Sequence, residues 1–303
     1  MARSRRPQRV GFVAPSGYVT EPAAIDRAAQ WFTVRGWQVQ AGDSCFERHL
    51  RFAGADALRA EELQRFCTDS SLDLVLSARG GYGLTRILDR LDYAAIRAAG
   101  RPICGYSDFT AFTLAYLAQA GGVSLHGPSA TDFGAPEPHA ITCETLLEVL
   151  QAGEYATRFA ADGPDCTAEG LLWGGNLALA SALLGTPFFP TPAQRRGSIA
   201  FFEDVNEPAY KVERMFLQLL QAGALDRCKA VLLGSFEPVP PQANDNGFTL
   251  GHAIDTLRQR LHVPVITGLP IGHVAHKLTL PVGARVSLRL ADGLATLGWS
   301  TGA

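Results

Sequence analysis

No apolar run in this chain reaches the roughly 20 residues that a membrane-spanning helix needs. Neither sign of charge dominates. With 27 Lys and Arg against 29 Asp and Glu, the formal charge is −2, which provides no basic field for nucleic acid or anionic lipid. Cysteine is sparse: Cys45, Cys67, Cys104, Cys143, Cys166 and Cys228 are scattered, mostly in apolar surroundings, with no C-x-x-C spacing. Such cysteines read as reduced core residues of a cytoplasmic protein rather than a disulfide framework. His/Glu groupings with H-E-x-x-H or similar spacing are missing too, so no metal site is expected. There is no internal repeat, heptad array or low-complexity tract. The start, Met-Ala-Arg-Ser-Arg-Arg-Pro-Gln-Arg, resembles the charged region of an export signal. However, Val10–Ala14 is too short for a signal core and stops at Pro15-Ser-Gly17, so it is expected to be the first strand.

What the chain does have is length and apolar content: 303 residues, 47% hydrophobic, enough for about two domains with substantial cores. Strand and helix patterns alternate at Arg9–Ala14, Ala23–Arg35, Trp37–Ala41, Ala55–Asp69, Leu72–Ser77, Leu84–Asp89 and Pro102–Tyr106, with a helix after Ser107. That alternation predicts an α/β fold whose parallel sheet is covered on both faces, of the flavodoxin or Rossmann type. Residues 149–167 lose periodicity and collect Gly, Asp and Pro, which predicts a linker between a domain at 1–148 and a smaller α/β domain at 168–303. The second domain is expected to hold helices at Leu177–Leu184, Ala209–Gln221 and Leu250–Leu261, and strands at Ser198–Phe202, Ala230–Phe236 and Val263–Thr267. It should close with a β-hairpin turning at Asp292-Gly293.

The most informative stretch is Arg101-Pro-Ile-Cys-Gly-Tyr-Ser-Asp-Phe-Thr-Ala-Phe112. It places Ser107 where a strand turns into a helix that Gly121-Gly122 would end. A helix N-terminus offers free N–H groups to a developing oxyanion, and Gly105 removes bulk from the turn. The G-x-S-x-G elbow is incomplete, because Phe109 stands at its last position, and Ser-Asp is also an ordinary helix cap. Further on, Ser198–Phe202 runs into Glu203-Asp204, and Val263–Thr267 leads to Gly272-His273. A carboxylate and an imidazole at strand exits complete an order Ser, Glu, His. Asp204 and Glu207 compete with Glu203, and His276 competes with His273; His126 is either structural or a support for the site. Gly80-Gly-Tyr-Gly83 admits a tight turn or a phosphate loop, although the dinucleotide fingerprint fails at Arg86. In Gly174-Gly-Asn176 the glycines allow close backbone approach, and Asn176 either caps a helix or lines a cleft.

Five motifs in order, Arg79-Gly-Gly-Tyr-Gly83, Gly105-Tyr-Ser-Asp108, Leu172-Trp-Gly-Gly-Asn-Leu177, Phe202-Glu-Asp-Val205 with Tyr210 and Arg214, and Gly272-His273 with Thr279–Gly283, resemble the L,D-carboxypeptidase family. That family includes muramoyltetrapeptide carboxypeptidases and microcin C self-immunity hydrolases, and the resemblance spans nearly the whole chain. It implies Ser107 as nucleophile, Glu203 as orienting acid, His273 as base, and the backbone N–H groups of Gly81 and Asp108 as oxyanion hole. It also implies an inter-domain cleft, no metal or other cofactor, and a cytoplasmic homodimer acting on a small peptide or muropeptide. Arg79, Arg86 and Lys277 are the candidate cations for a terminal carboxylate, with Tyr82 and Asn176 as further substrate-binding candidates. The alternatives are hydrolysis of an aminoacyl-nucleotide antibiotic, and a non-catalytic binding module on the same fold.

Overall fold

The computed structural model describes residues 7–237 and 239–300, so the basic segment at 1–6 lies outside it. Five short strands form the parallel part of a first sheet: β1 (Arg9–Val13), β2 (Gln38–Ala41), β3 (Leu74–Ser77), β4 (Ile103–Gly105) and β5 (Ser124–His126). Their order is β2-β1-β3-β4-β5, the flavodoxin-like arrangement. Val10, Phe12, Leu74, Val75 and Ile103 have no solvent exposure, because helices cover both faces. Those helices are α1 (Ala23–Thr33), α2 (Asp56–Thr68), α3 (Tyr93–Ala99) and α4 (Thr110–Ala120). α3 begins later than the helix expected over Leu84–Asp89. That stretch makes two 3-10 turns, and a lasting helix starts only where the Asp92 carboxylate accepts the Ala95 N–H, 2.9 Å away. α4 ends as predicted, on Gly121 in the left-handed region at φ 59°.

Beyond α5 (Ala130–Phe133) and α6 (Ala140–Gln151), the chain builds a second sheet from β6 (Glu154–Ala160), β7 (Cys166–Asn176), β8 (Ile199–Val205), β9 (Ala230–Glu237) and β10 (Val265–Thr267). The strand β11 (Leu280–Val282) leaves it, and the hairpin β12 (Arg285–Ala291) and β13 (Leu294–Ser300) completes it. The sheet order is β10-β9-β8-β7-β12-β13-β6, seven strands wide. Residues 149–167, expected as a linker, hold the end of α6, the edge strand β6, paired along its length with β13, and, after a short connection, the first residues of β7. Only Phe159 of β6 is buried, so the period-two signal of a strand is faint there. The hairpin turns at Asp292 and Gly293, with φ of 51° and 74°, as its Asp-Gly predicts.

Helices α7 (Leu177–Leu183), α8 (Pro192–Arg195), α9 (Ala209–Gln221) and α10 (Leu250–Arg260) flank the second sheet. None of the helices among the described residues is long and apolar enough to cross a membrane. Two features join the sheets. β11 pairs antiparallel with β5, Leu280 opposite His126, so the second half of the chain supplies the first sheet's sixth strand. At the end of β7, a Cβ on Gly175 would lie 2.5 Å from Thr110 Oγ1, and the Asn176 N–H donates to that hydroxyl at 2.9 Å. Only glycine allows α4 to come so close, which brings the carboxyl ends of β4 and β8 face to face.

Candidate active site

Ser107 follows β4 directly and holds φ at 63°, a left-handed conformation that is costly for any residue but glycine. The strain raises the hydroxyl out of the turn, as in a nucleophile elbow. It persists because its neighbours leave no alternative. A Cβ on Gly105 would lie 2.7 Å from the Phe109 ring and from Ser77 Cβ, and one on Gly80 would lie 2.6 Å from Ser107 Cβ and Oγ. Ser107–Phe109 is a 3-10 turn feeding α4, rather than the first turn of the α-helix itself.

The second sheet brings the other two groups. Glu203 is fully buried near the end of β8, and its Oε2 lies 2.9 Å from His273 Nδ1. His273 Nε2 lies 3.0 Å from Ser107 Oγ. Gly272, at φ 123°, lets the loop carrying His273 pass over β8 and β9, where a Cβ would meet Ser235 at 3.1 Å and Glu203 Cβ at 3.4 Å. The three residues predicted for a triad are therefore assembled in the order hydroxyl, imidazole, carboxylate. With Nδ1–H donating to Glu203, Nε2 is free to accept the serine proton.

The competing candidates fall elsewhere. The Asp204 carboxylate accepts from Asn176 Nδ2, the Val205 N–H and the Ala178 N–H, each at 2.9 Å, and burial pushes it up to about 6. Asn176 is buried and caps α7 by accepting the Leu179 N–H at 3.1 Å, so both ends of its amide are engaged within the protein. His276 is exposed and stacks on His139, ring centroids 5.3 Å apart. Lys277 is buried, with Nζ donating to Asp132 at 2.5 Å and lying 4.7 Å from the Tyr106 ring centre. Arg86 forks onto Asp56, with Nη2 2.7 Å from Oδ2. Arg79 is different: its Nη1 donates to Tyr18 O at 2.7 Å, and no carboxylate among the described residues lies within 4.0 Å of it. Tyr82 is 43% exposed and packs on Phe52, on the same glycine loop.

The glycine loop lies against the nucleophile turn. Asp108 is buried, and its Oδ2 accepts the Leu84 N–H at 3.0 Å; burial raises its carboxyl above the usual range. The Gly17 N–H donates to Gly80 O at 3.2 Å, and buried Arg59 donates to Gly83 O at 3.0 Å and to Pro15 O at 2.5 Å. These contacts gather the ends of β1, β3 and β4, next to the β1/β3 switch point where open α/β sheets take ligands. Tyr106, Arg59 and Asp132 were not singled out from sequence. Tyr106 sits inside a quoted motif. Arg59 and Asp132 carry no local signal, because their partners are distant in the chain.

Comparisons with known proteins match both halves of the chain. Residues 10–127 match the LD-carboxypeptidase N-terminal domain, and residues 169–288 match the LD-carboxypeptidase C-terminal domain. A putative carboxypeptidase of Streptomyces coelicolor is 37% identical, over 95% of this chain and 93% of its own. A probable murein peptide carboxypeptidase of Bacillus subtilis is 31% identical, over 97% of this chain and 93% of its own. The crystal structure of a muramoyltetrapeptide carboxypeptidase from Oxalobacter formigenes superposes with a TM-score of 0.90 at 37% identity, covering 97% of this chain and 99% of that one.

Proposed function

Because the chain belongs to the LD-carboxypeptidase family, we propose that it is a serine carboxypeptidase that removes the terminal D-alanine of a murein tetrapeptide. The observation that carries the mechanism is the relay in which His273 lies 3.0 Å from Ser107 Oγ and 2.9 Å from Glu203 Oε2. His273 Nε2 takes the Ser107 proton as Oγ attacks the carbonyl between the L-centre and the D-residue. Glu203 holds the Nδ1–H tautomer and stabilises the imidazolium. The oxyanion develops beside the N–H groups of Gly81 and Asp108, on two loops packed against each other. His273 then protonates the leaving amine, and water hydrolyses the acyl-enzyme by the same relay in reverse. Nothing in this cycle requires a metal.

Release of a terminal residue requires recognition of its carboxylate. Arg79 suits that role because no carboxylate among the described residues neutralises it, whereas Arg86 and Lys277 already have partners. Tyr82 would wall the same subsite. In this reading the nucleophile belongs to residues 1–148, the acid and base belong to 168–303, and the substrate lies between them. The enzyme would act in the cytoplasm as a homodimer, a state that light scattering on the purified chain measures directly.

Mass spectrometry tests the substrate. A murein tetrapeptide ending in D-alanine, the same peptide ending in L-alanine, and an aminoacyl sulfamoyl adenosine are offered side by side. Inverting the last centre puts a methyl group where the cleft accepts a hydrogen and displaces the carboxylate from its cation. Discrimination of roughly a thousandfold in kcat/KM is therefore expected. Equal rates on the two peptides, or faster cleavage of the adenosine compound, would overturn the assignment while leaving a serine hydrolase.

A further inference from the structure

His273 sits in a loop with little backbone support of its own. The loop springs from a neck where the Leu278 N–H donates to Pro270 O at 2.7 Å and the Ser235 N–H donates to Ile271 O at 2.9 Å. Beyond that neck, residues 272–276 lie in no helix or strand and make no backbone–backbone hydrogen bond among the described residues. Yet the relay needs His273 Nε2 to stay 3.0 Å from Ser107 Oγ, on the turn after β4 of the other sheet. A displacement near 1 Å would cost on the order of a hundredfold in rate.

The support comes from α5 and α6. The buried Thr142 hydroxyl, on the first turn of α6, donates to Ala275 O at 2.7 Å and accepts the Lys277 N–H at 2.9 Å, gripping the loop on both sides of His276. Lys277 Nζ then reaches Asp132 Oδ1 on α5 at 2.5 Å. Asp132 is itself fixed, because its Oδ2 accepts the Ser129 N–H at 2.8 Å and the Ser129 hydroxyl at 2.9 Å. α5 is fastened to the first sheet: the Thr131 N–H donates at 3.1 Å to Ala78 O, just beyond β3. Phe133 packs on Trp31 and Phe32 of α1, with ring centroids 4.7 and 4.8 Å apart. The Lys277 ammonium also lies 4.7 Å from the centre of the Tyr106 ring, within cation–π range, and that ring lies 5.2 Å from the His273 ring. Tyr106 directly precedes Ser107. The sheet that carries the nucleophile therefore holds the base loop at Ala275 and Lys277, and backs the imidazole with Tyr106.

We propose that Thr142 and the Asp132–Lys277 pair are positioning residues, which clamp the base loop to the nucleophile's sheet and so set the distance from His273 to Ser107. This rests on the serine-triad reading of the site but not on the identity of the substrate. A fluorophosphonate that labels activated serines therefore tests it independently of any peptide.

The maximal labelling rate and the half-saturating probe concentration of the full chain are measured for the wild type, Thr142→Val, Thr142→Ser and the double variant Lys277→Met with Asp132→Asn. Thr142→Val keeps the shape and removes both hydrogen bonds to the loop. Its maximal rate should fall roughly ten- to a hundredfold at a nearly unchanged half-saturating concentration, because the probe's site is intact and only the base is displaced. Thr142→Ser restores the hydroxyl and should recover most of the rate. Proton NMR supplies a second readout: the downfield resonance of the Nδ1–H between His273 and Glu203 should broaden or vanish in Thr142→Val and return in Thr142→Ser. A folded Thr142→Val with the wild-type rate would overturn the proposal. So would a loss carried by the half-saturating concentration, or a Thr142→Ser no better than Thr142→Val. If Thr142→Val does not fold, the double variant decides, since it removes the ion pair without leaving either charge buried alone. A lower maximal rate at an unchanged half-saturating concentration then supports the proposal, and the wild-type rate overturns it. A wild type that the probe does not label would sink the triad reading and this proposal together.

Discussion

Glu203 and Asp204 are adjacent on β8, yet the first accepts from an imidazole and the second from the start of a helix. Alternation along the strand sends the two side chains to different sides, and a register shift between Phe202 and Asp204 bends β8 at that point. Their conservative variants should therefore fail differently. Glu203→Gln should lose most activity while folding normally, but less than Ser107→Ala, since it misorients the histidine without removing the nucleophile. Ser107→Ala should lower kcat by roughly three to six orders of magnitude, read in single-turnover assays at equal melting temperature. Asp204→Asn should keep fluorophosphonate labelling and lose stability instead, because its NH2 would face one of the three N–H donors that the carboxylate accepts from. If Asp204→Asn abolished labelling in a folded protein, the acid would have been assigned to the wrong residue. Ser107, Glu203 and His273 were legible in the sequence because each stands at a strand exit, two of them with a glycine close by. The capping role of Asn176 was also one of its two readings from sequence, and it does cap α7; the pairing of Lys277 was not legible, since Asp132 cannot be matched to it by spacing.

At the scale of elements, the site depends on two loops that are allowed to touch. Gly80 has no room for a side chain: its Cβ would lie 2.6 Å from both Cβ and Oγ of Ser107. Gly80→Ala should therefore leave the sheet intact and push the nucleophile turn aside. A displacement near 1 Å costs on the order of a hundredfold in rate. Labelling should fall by about that factor with far-ultraviolet circular dichroism unchanged, and wild-type labelling would mean the two loops are less tightly apposed. The strand-and-helix alternation around this turn was readable because buried parallel strands are nearly pure apolar runs. β6 and α3 were not. β6 is an edge strand with one buried side chain, so its pattern resembles a loop. α3 starts at a capping aspartate, beyond a stretch whose leucines suggested a helix but which closes only 3-10 turns.

For the molecule as a whole, the response to acid includes two buried groups whose shifts oppose each other. His126 is brought down from 6.5 to about 4, so the unfolded chain takes up that proton first. Its contribution to stability is full above pH 6.5 and is lost as the pH falls towards 4. Asp204 is pushed up from 3.8 to about 6, so the folded chain takes up that proton first, and its contribution grows as the pH falls from 6 to 3.8. Each effect amounts to about 3 kcal/mol over its full range, so over the shared window they largely cancel. Removing one exposes the other. His126→Phe should become more stable on going from pH 7 to pH 5 relative to the wild type, and Asp204→Asn less stable, as read from urea midpoints at the two pH values. That neither group was expected to matter in this way has one physical cause: both shifts come from burial made by distant parts of the chain, for His126 where β5 and β11 meet and for Asp204 beneath the start of α7. The join of β11 to β5 is a contact between residues some 150 positions apart, which no local pattern encodes. Parallel responses of the two variants would mean that the shifts of the two groups do not oppose each other, and the account of acid stability built on their burial would fail.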